Sequence, residues 1–272
     1  MVEDQVHSYD HGCDPTELDR LSMQADVAWA LERSQLLQQG LQPTDRVVDV
    51  GCGPGHLSCR IASLVPEGSV TGVDTDGLLL DQARANASQA GLSHVSFQQS
   101  WADGMPLPNN SADFAYARFL LQHVPKPVEV LREMARVVAP GGTVMVVDTD
   151  DGGIIVHPEP RGLDTMLRAS QQGQARNGGD RLIGRKLSSH LSAAGLVDVV
   201  TTAVPFTSHM VGTEAWMQIC LGFKTRVVGE TELSNAEVAT ILSSVRTALE
   251  TPGAFAQTMV YVSVGKVAPR RL

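Results

Sequence analysis

The sequence predicts an α/β fold, a doubly wound and mostly parallel sheet covered by helices on both faces. Three observations carry that prediction. From residue 46 to residue 149, short β-branched runs alternate with helical stretches, the rhythm of right-handed βαβ units. The first run leads into "VVDVGCGPGHLS", residues 47–58, where Gly51, Gly53 and Gly55 clear the backbone between a strand and a helix. The second run, "SVTGVD", ends on Asp74, and a strand-end acid after a glycine turn is a nucleoside-binding arrangement.

The elements follow in order. Asp14 reads as a helix N-cap, with Pro15 at the first helical position and Glu17 as the capping-box acid. Leu18, Leu21, Ala25, Ala28 and Leu36 then recur near helical spacing, and Gly40 closes the segment. Next come the strand "RVVDVG", a helix to about Leu64, the strand "SVTGVD", a helix over "GLLLDQARANASQAG" and the strand "VSFQQS". The strand "ADFAYAR", a helix over "PVEVLREMARVVAPGG" and the strand "TVMVVDT" complete the alternation. After Asp148 the text turns rich in Gly, Pro and Asp, so residues 149–162 are expected to form a loop at the sheet's ligand-binding edge. Helices over "LDTMLRASQQGQA" and "DRLIGRKLSSHLSAAG" follow, then strands over "LVDVVTTAVPF" and "AQTMVYVSVGKVA" with a helical insert at about 213–249 between them. The economical division is an N-terminal arm and cap helix over 1–40 and one α/β domain over 41–272.

Composition limits the function classes. The chain has 272 residues, 43% of them hydrophobic, enough for a full core. Its net charge of −9, with no cluster of Lys or Arg, argues against nucleic acid as a partner. Cys13, Cys52, Cys59 and Cys220 form no CxxC pair and no Cys/His ligand spacing, so reduced thiols and no metal site are expected. The polar, acidic N-terminus and the lack of a long apolar run point to a cytoplasmic chain without a signal peptide or membrane partner.

The glycine loop narrows the ligand. A dinucleotide fingerprint G-x-G-x-x-G requires glycine at position 56, where this chain has His56. The spacing is G-x-G-x-G instead, which favours a ligand without a pyrophosphate. Asp74 stands where a carboxylate accepts hydrogen bonds from ribose hydroxyls, and this suits nicotinamide and adenosyl ligands equally. The plainer alternative is a tight strand-to-helix turn with Asp74 as a helix cap.

Five segments in order, "VVDVGCGPGHLS", "VTGVD", "PLPNNSADFAYARFLLQHV", "VLREMARVVAPGGTVMVVD" and "IGRKLSSHLSAAGLVDV", together resemble the motifs of class I S-adenosylmethionine-dependent methyltransferases. The nearest resemblance is to the methyltransferase type 11, ubiquinone/menaquinone-biosynthesis-like branch and its natural-product enzymes, over about residues 45–205. It implies a Rossmann-like, seven-stranded sheet and S-adenosyl-L-methionine as cofactor. It implies that Gly51 and Gly53 lie against the methionine part with Asp49 beneath, that Cys52 and Thr75 adjoin the ligand, and that Asp74 holds the ribose. The family usually has an acid after the third strand, facing the adenine amine. Here Trp101 takes that place with Ala102 beside it, so adenine is expected to rest on Trp101 stacking and backbone amides near Ala102, or on Asp103.

Methyl transfer from a sulfonium is an in-line displacement, so the protein has to align the acceptor and exclude water, and a general base is optional. Arg118 is implied as a cofactor-edge contact through its backbone. His123 is the leading base candidate, with a structural helix-end histidine as the alternative. His157, in the expected loop, is the second candidate against a solvated reading. Tyr9, flanked by His7 and His11, is the third, on an arm that closes over the cofactor or stays unordered. Asp148 is read at the mouth of the fifth strand, where it caps a turn. Met166, Trp216, Met217 and Phe223 would form an apolar lid or ordinary core.

The expected activity is methyl transfer to a small organic acceptor in natural-product biosynthesis, with carbon, nitrogen and oxygen acceptors all open and a homo-oligomer compatible with it. Two rivals belong to other classes: an S-adenosylmethionine-binding cyclase or regulatory protein that does not methylate, and an NAD(P)-dependent oxidoreductase, which lacks its glycine at 56 and a hydride-transfer pair.

Overall fold

In the computed structural model, residues 15–222, 224 and 233–269 are described. Helix α1 (Pro15–Gln38) precedes strand β1 (Arg46–Val50), helix α2 (His56–Ala62), β2 (Ser69–Asp74), α3 (Gly77–Gln89), β3 (Val95–Gln99) and β4 (Ala112–Arg118). Then follow α4 (Pro127–Val137), β5 (Val138–His157), α5 (Leu163–Arg176), a 3₁₀ turn (Gly184–Lys186), α6 (Leu187–Ala193) and β6 (Val197–Thr207). The chain closes with α7 (Ser208–Val211), α8 (Thr213–Leu221), α9 (Asn235–Leu249) and β7 (Phe255–Lys266). The strands form one seven-stranded sheet in the order β3-β2-β1-β4-β5-β7-β6. All neighbours are parallel except β7, which runs antiparallel to both β5 and β6. The order reverses between β1 and β4, and such a switch point opens a crevice at the strands' carboxyl ends.

Strand alternation builds the two faces. Val48, Val50, Ala115, Ala117, Val144 and Val146 pack with Leu131 and Met134 of α4 and with Leu187 and Leu191 of α6. The intervening Val47, Phe114, Tyr116, Met145 and Val147 pack on the opposite face with Leu36 of α1 and Leu57 and Ile61 of α2. Successive side chains leave a strand on opposite sides, so apolar runs such as "VVDV" and "ADFAYA" feed both layers at once. A third apolar cluster lies past the sheet's carboxyl edge. It joins Met166 and Leu167 of α5, Trp216, Met217 and Leu221 of α8, and Val238, Ile241 and Val245 of α9 to Val156 and Ala256.

The helical insert over 213–249 is present as α8 and α9, the latter opened by a capping box between Ser234 and Glu237. One expectation is overturned. Residues 149–157 are strand, because β5 continues past Asp148 and β7 pairs with it as far as His157↔Phe255. The glycines that read as loop fall within an irregularity between Asp150 and Ile155, and bulges take up residues in this way while pairing resumes beyond them. They are close-packing positions: a Cβ at Gly152 would fall 2.0 Å from the Arg185 guanidinium, and one at Gly153 2.8 Å from Met259. Helix α4 also stops at Val137, before the segment "VAPGG" that the sequence assigns to it.

Candidate functional site

The site begins where β1 ends. Gly51, Gly53 and Gly55 have φ of +73°, +52° and +71°, a left-handed region that glycine enters without steric cost. The loop is fastened to β2: the N–H groups of Gly51 and Cys52 donate to the Val73 carbonyl at 2.7 and 3.1 Å. The surroundings of the three glycines differ. A Cβ at Gly51 would meet Leu120 at 3.0 Å, and one at Gly55 would meet Ala83 Cβ at 2.7 Å, whereas at Gly53 there is no heavy atom within 4 Å. The loop is therefore packed on two sides and open at Gly53.

Asp74 closes the turn. Its Oδ2 accepts the Gly53 N–H at 2.8 Å and its Oδ1 accepts the Asp76 N–H at 3.0 Å. Burial pushes its pKa upward, opposed by these backbone N–H groups and that of Thr75. The Thr75 carbonyl accepts Gln99 Nε2 at 2.8 Å, and Asp76 caps α3 through Leu78 and Leu79. Ser100 N–H donates to the Asp74 carbonyl at 2.9 Å and so brings the loop after β3 to the same edge. Trp101 on that loop is 56% exposed, and Ala102 beside it packs on the core.

Asp49 lies beneath the loop, 2% exposed, and accepts the Ser58 hydroxyl at 2.6 Å. Burial lifts its pKa to about 6, against the Ser58 hydrogen bond and the Arg118 charge. Cys52 is buried, its Sγ 2.8 Å from where a Cβ on Gly72 would stand, and burial with Asp49 and Asp74 nearby drives its pKa well up. Its thiol is therefore turned inward and protonated. Arg118 ends β4 and donates through Nη1 to both oxygens of Glu32 on α1, each at 3.2 Å. Burial works against its charge, but Glu32, together with Tyr116 and Asp49, more than restores it and leaves the pKa raised.

Past β4, Leu120 lies over Gly51 and its carbonyl accepts the His123 N–H at 2.9 Å. His123 is half-buried, with Nδ1 3.3 Å from Gln174 Nε2 on α5. Gln122 donates its N–H to Asp148 Oδ2 at 3.1 Å and accepts Arg181 Nη1 at 2.5 Å. Asp148 is fully buried, and burial raises its pKa to about 7 against hydrogen bonds from Thr149 and Gln122. Two further acids continue β5: Asp150 bonds Arg185 twice at 2.6 Å, and Asp151 bonds the buried Lys224 at 2.5 Å.

The structure thus gathers Asp49, Gly51, Gly53, Asp74, Thr75, Arg118 and His123 at the carboxyl ends of β1, β2 and β4, with Trp101 at that of β3. His157 stands apart. It is exposed, and because Asp148 pairs with Tyr261 and His157 with Phe255, it lies about 20 Å farther along at a strand rise of about 3.4 Å. Tyr9, His7, His11 and Phe223 lie outside the described residues. Met166, Trp216 and Met217 are buried in the third cluster, which is the core reading. Glu32, Gln174, Arg181 and Lys224 were not singled out from the sequence, since each gains meaning only from a partner distant in the chain.

A family model described as a methyltransferase domain matches residues 47–142. Demethylmenaquinone methyltransferase of Listeria monocytogenes serotype 4a (strain HCC23) is 34% identical over 157 residues, 56% of this chain and 65% of the relative. Over this stretch the chain is similar to S-adenosylmethionine-dependent methyltransferases of the menaquinone-biosynthesis type. It spans slightly under two thirds of the length of that curated relative. Two solved methyltransferases share the fold. The SAM-dependent methyltransferase from Methanosarcina mazei gives a TM-score of 0.56 at 16% identity, covering 86% of this chain and 98% of the other. Phosphoethanolamine N-methyltransferase 2 of Haemonchus contortus, solved with S-adenosyl-L-methionine, gives 0.59 at 16% identity, covering 93% and 57%. The residues present fit S-adenosylmethionine: an open face at Gly53 and a carboxylate at the end of β2 suit an adenosyl ligand without a pyrophosphate. Among the described residues no helix is long and apolar enough to cross a membrane.

Proposed function

We propose that this protein transfers the methyl group of S-adenosylmethionine to a small, bulky and partly apolar acceptor in natural-product biosynthesis. The observation that carries this reading is the Gly53 N–H to Asp74 hydrogen bond at 2.8 Å, which makes the open glycine loop and the ribose-binding acid one unit. In this reading Gly51 and Gly53 lie against the methionine part, Asp74 accepts the ribose hydroxyls on its remaining lone pairs, and Trp101 stacks on adenine near the backbone of Ala102. Arg118 borders the cofactor through its backbone while its side chain holds α1. When bound, the sulfonium supplies an activated methyl carbon and keeps the electron pair of the broken C–S bond. The chain's own part is alignment and exclusion of water.

The acceptor is assigned to the crevice past β4 and β5, bounded by His123 and the α5, α8 and α9 layer. That layer buries an apolar cluster beyond the sheet edge, a covering that suits a bulky molecule. Incubation with methyl-labelled S-adenosylmethionine and a panel of quinone precursors, polyketides and indoles tests the reading. Label in an acceptor supports it. Tight cofactor binding with no transfer to any member would favour a cyclase or regulatory protein on the same fold.

A further inference from the structure

We infer that Asp151 is a recognition point for the acceptor, which carries a neutral O–H or N–H group that donates to Asp151 Oδ2. This deepens the acceptor assignment above and rests on it. Asp151 is 2% exposed, and its Oδ1 accepts the ammonium of the buried Lys224 at 2.5 Å. Its Oδ2 is buried as well and has no hydrogen-bond partner. A carboxylate oxygen held out of water without a donor is costly, so a native structure that keeps one calls for a use.

The backbone sets Asp151 apart from the sheet. The irregularity in β5 begins after Asp150, and the Asp151 N–H donates to the Arg181 carbonyl at 2.9 Å. Arg181 in turn donates through Nη1 to Gln122 Oε1 at 2.5 Å, beside His123 in the chain. On the other side Lys224 lies just past α8, and Cys220 of that helix is acted on by the charges of both Lys224 and Asp151. Asp151 therefore stands between the segment after β4, the turn after α5 and the end of α8, where the acceptor crevice is assigned.

Charge and donor chemistry narrow the group it receives. A carboxylate paired with a lysine only accepts, so the ligand has to donate. Burial lowers the Lys224 pKa, Asp151 opposes the fall, and the nearby Arg181 adds to it. Asp150 and Asp180 are matched by Arg185 and Lys186, and Asp148, raised by burial to about 7, gives little negative charge below that pH. A ligand ammonium at Oδ2 would thus add a third cation beside Lys224 and Arg181, whereas a neutral donor meets no such repulsion.

The test is calorimetric binding of 1-naphthalenemethanol, its methyl ether and 1-naphthylmethylammonium to the full chain, with and without S-adenosylhomocysteine. The wild type should bind the alcohol at least about ten-fold more tightly than the ether, which keeps the oxygen but has no proton to give. The ammonium should bind more weakly than the alcohol. Asp151→Leu combined with Lys224→Met replaces the buried pair by apolar side chains of similar shape, a change that folded proteins tolerate. It should bring alcohol and ether close to equal affinity, and Asp151→Asn, whose amide can donate to either oxygen, should narrow the ratio likewise. Equal wild-type binding of alcohol and ether, absence of binding included, would overturn the inference. Tighter binding of the ammonium, or a ratio unchanged in a folded variant, would do so too. Should one variant fail to fold, the other and the wild-type order still decide. Binding needs no turnover, so an alcohol preference without methyl transfer to any acceptor would count against the functional reading alone.

Discussion

Arg118 at the end of β4 and Glu32 in the C-terminal third of α1 form a buried ion pair in which one guanidinium nitrogen reaches both carboxylate oxygens at 3.2 Å. The two residues are far apart in the chain, and the pair fastens the N-terminal helix to the sheet edge where the glycine loop begins. A second fastening lies on α2, where Arg60 donates to the Ala25 carbonyl at 2.9 Å, pairs with Asp26 and lies over the Trp29 ring.

Removing one partner of the buried pair should be costly. Glu32→Ala leaves Arg118, with its side chain 11% exposed, as an unmatched charge, and such losses run to about 3–5 kcal/mol. Urea unfolding should show a clearly lower midpoint than for Glu32→Gln, whose amide oxygen still accepts. Equal midpoints for wild type and Glu32→Ala would mean that the pair contributes nothing to docking α1.

The glycines of the loop should separate into packing and ligand roles. Gly55→Ala introduces a Cβ 2.7 Å from Ala83 Cβ at a φ of +71° and should lower stability by about 1–3 kcal/mol, the range for overpacked positions. Gly53→Ala meets no neighbour within 4 Å, so its stability loss should stay near about 1 kcal/mol while cofactor affinity falls. Thermal melts paired with calorimetry distinguish the two. The reverse ordering would contradict the assignment of the open face at Gly53.

Stability should decline as pH rises through the range set by two buried acids. Asp49 is lifted to about 6 and Asp148 to about 7, both chiefly by burial. From about pH 4 to about pH 7 the folded chain keeps protons that the unfolded chain releases, so these groups favour folding at the acid end, and above the window their contribution is lost. The slope is about 1.4 kcal/mol per pH unit for each fully retained proton. Asp113 and Glu133 shift the other way, through hydrogen bonds to Arg46 and Arg136, and their contribution is lost only on acidification below that window. Unfolding free energies at pH 5.5 and 7.5 should therefore differ less in Asp148→Asn than in wild type. An unchanged difference would remove Asp148 from this account.

Local patterns disclosed the sheet and the glycine loop and strand-end acid to which the nucleoside is proposed to bind. Strands β1, β2 and β4 follow from β-branched and apolar runs with glycine or acid ends, and Gly53 with Asp74 follows from strand-end chemistry. What escaped was non-local. Strand β5 runs on to His157 because β7 pairs with it there, while Gly152 and Gly153 read locally as turn residues although their role is to admit Arg185 and Met259. Nothing around Glu32 points to Arg118, and nothing around Gln174 points to His123, since chain folding alone brings these pairs together. Trp101 was legible as a departure from the acid usual in the resembling family, and it is exposed.

The most direct test of the central claim is calorimetric titration of the wild-type chain and Asp74→Ala with S-adenosylhomocysteine and, separately, with NAD. One-site binding of S-adenosylhomocysteine, no heat with NAD, and a loss of roughly 1.5–3 kcal/mol in Asp74→Ala, the range for hydrogen bonds to a charged group, are the predicted results. An unchanged dissociation constant in Asp74→Ala, or tight NAD binding, would contradict it.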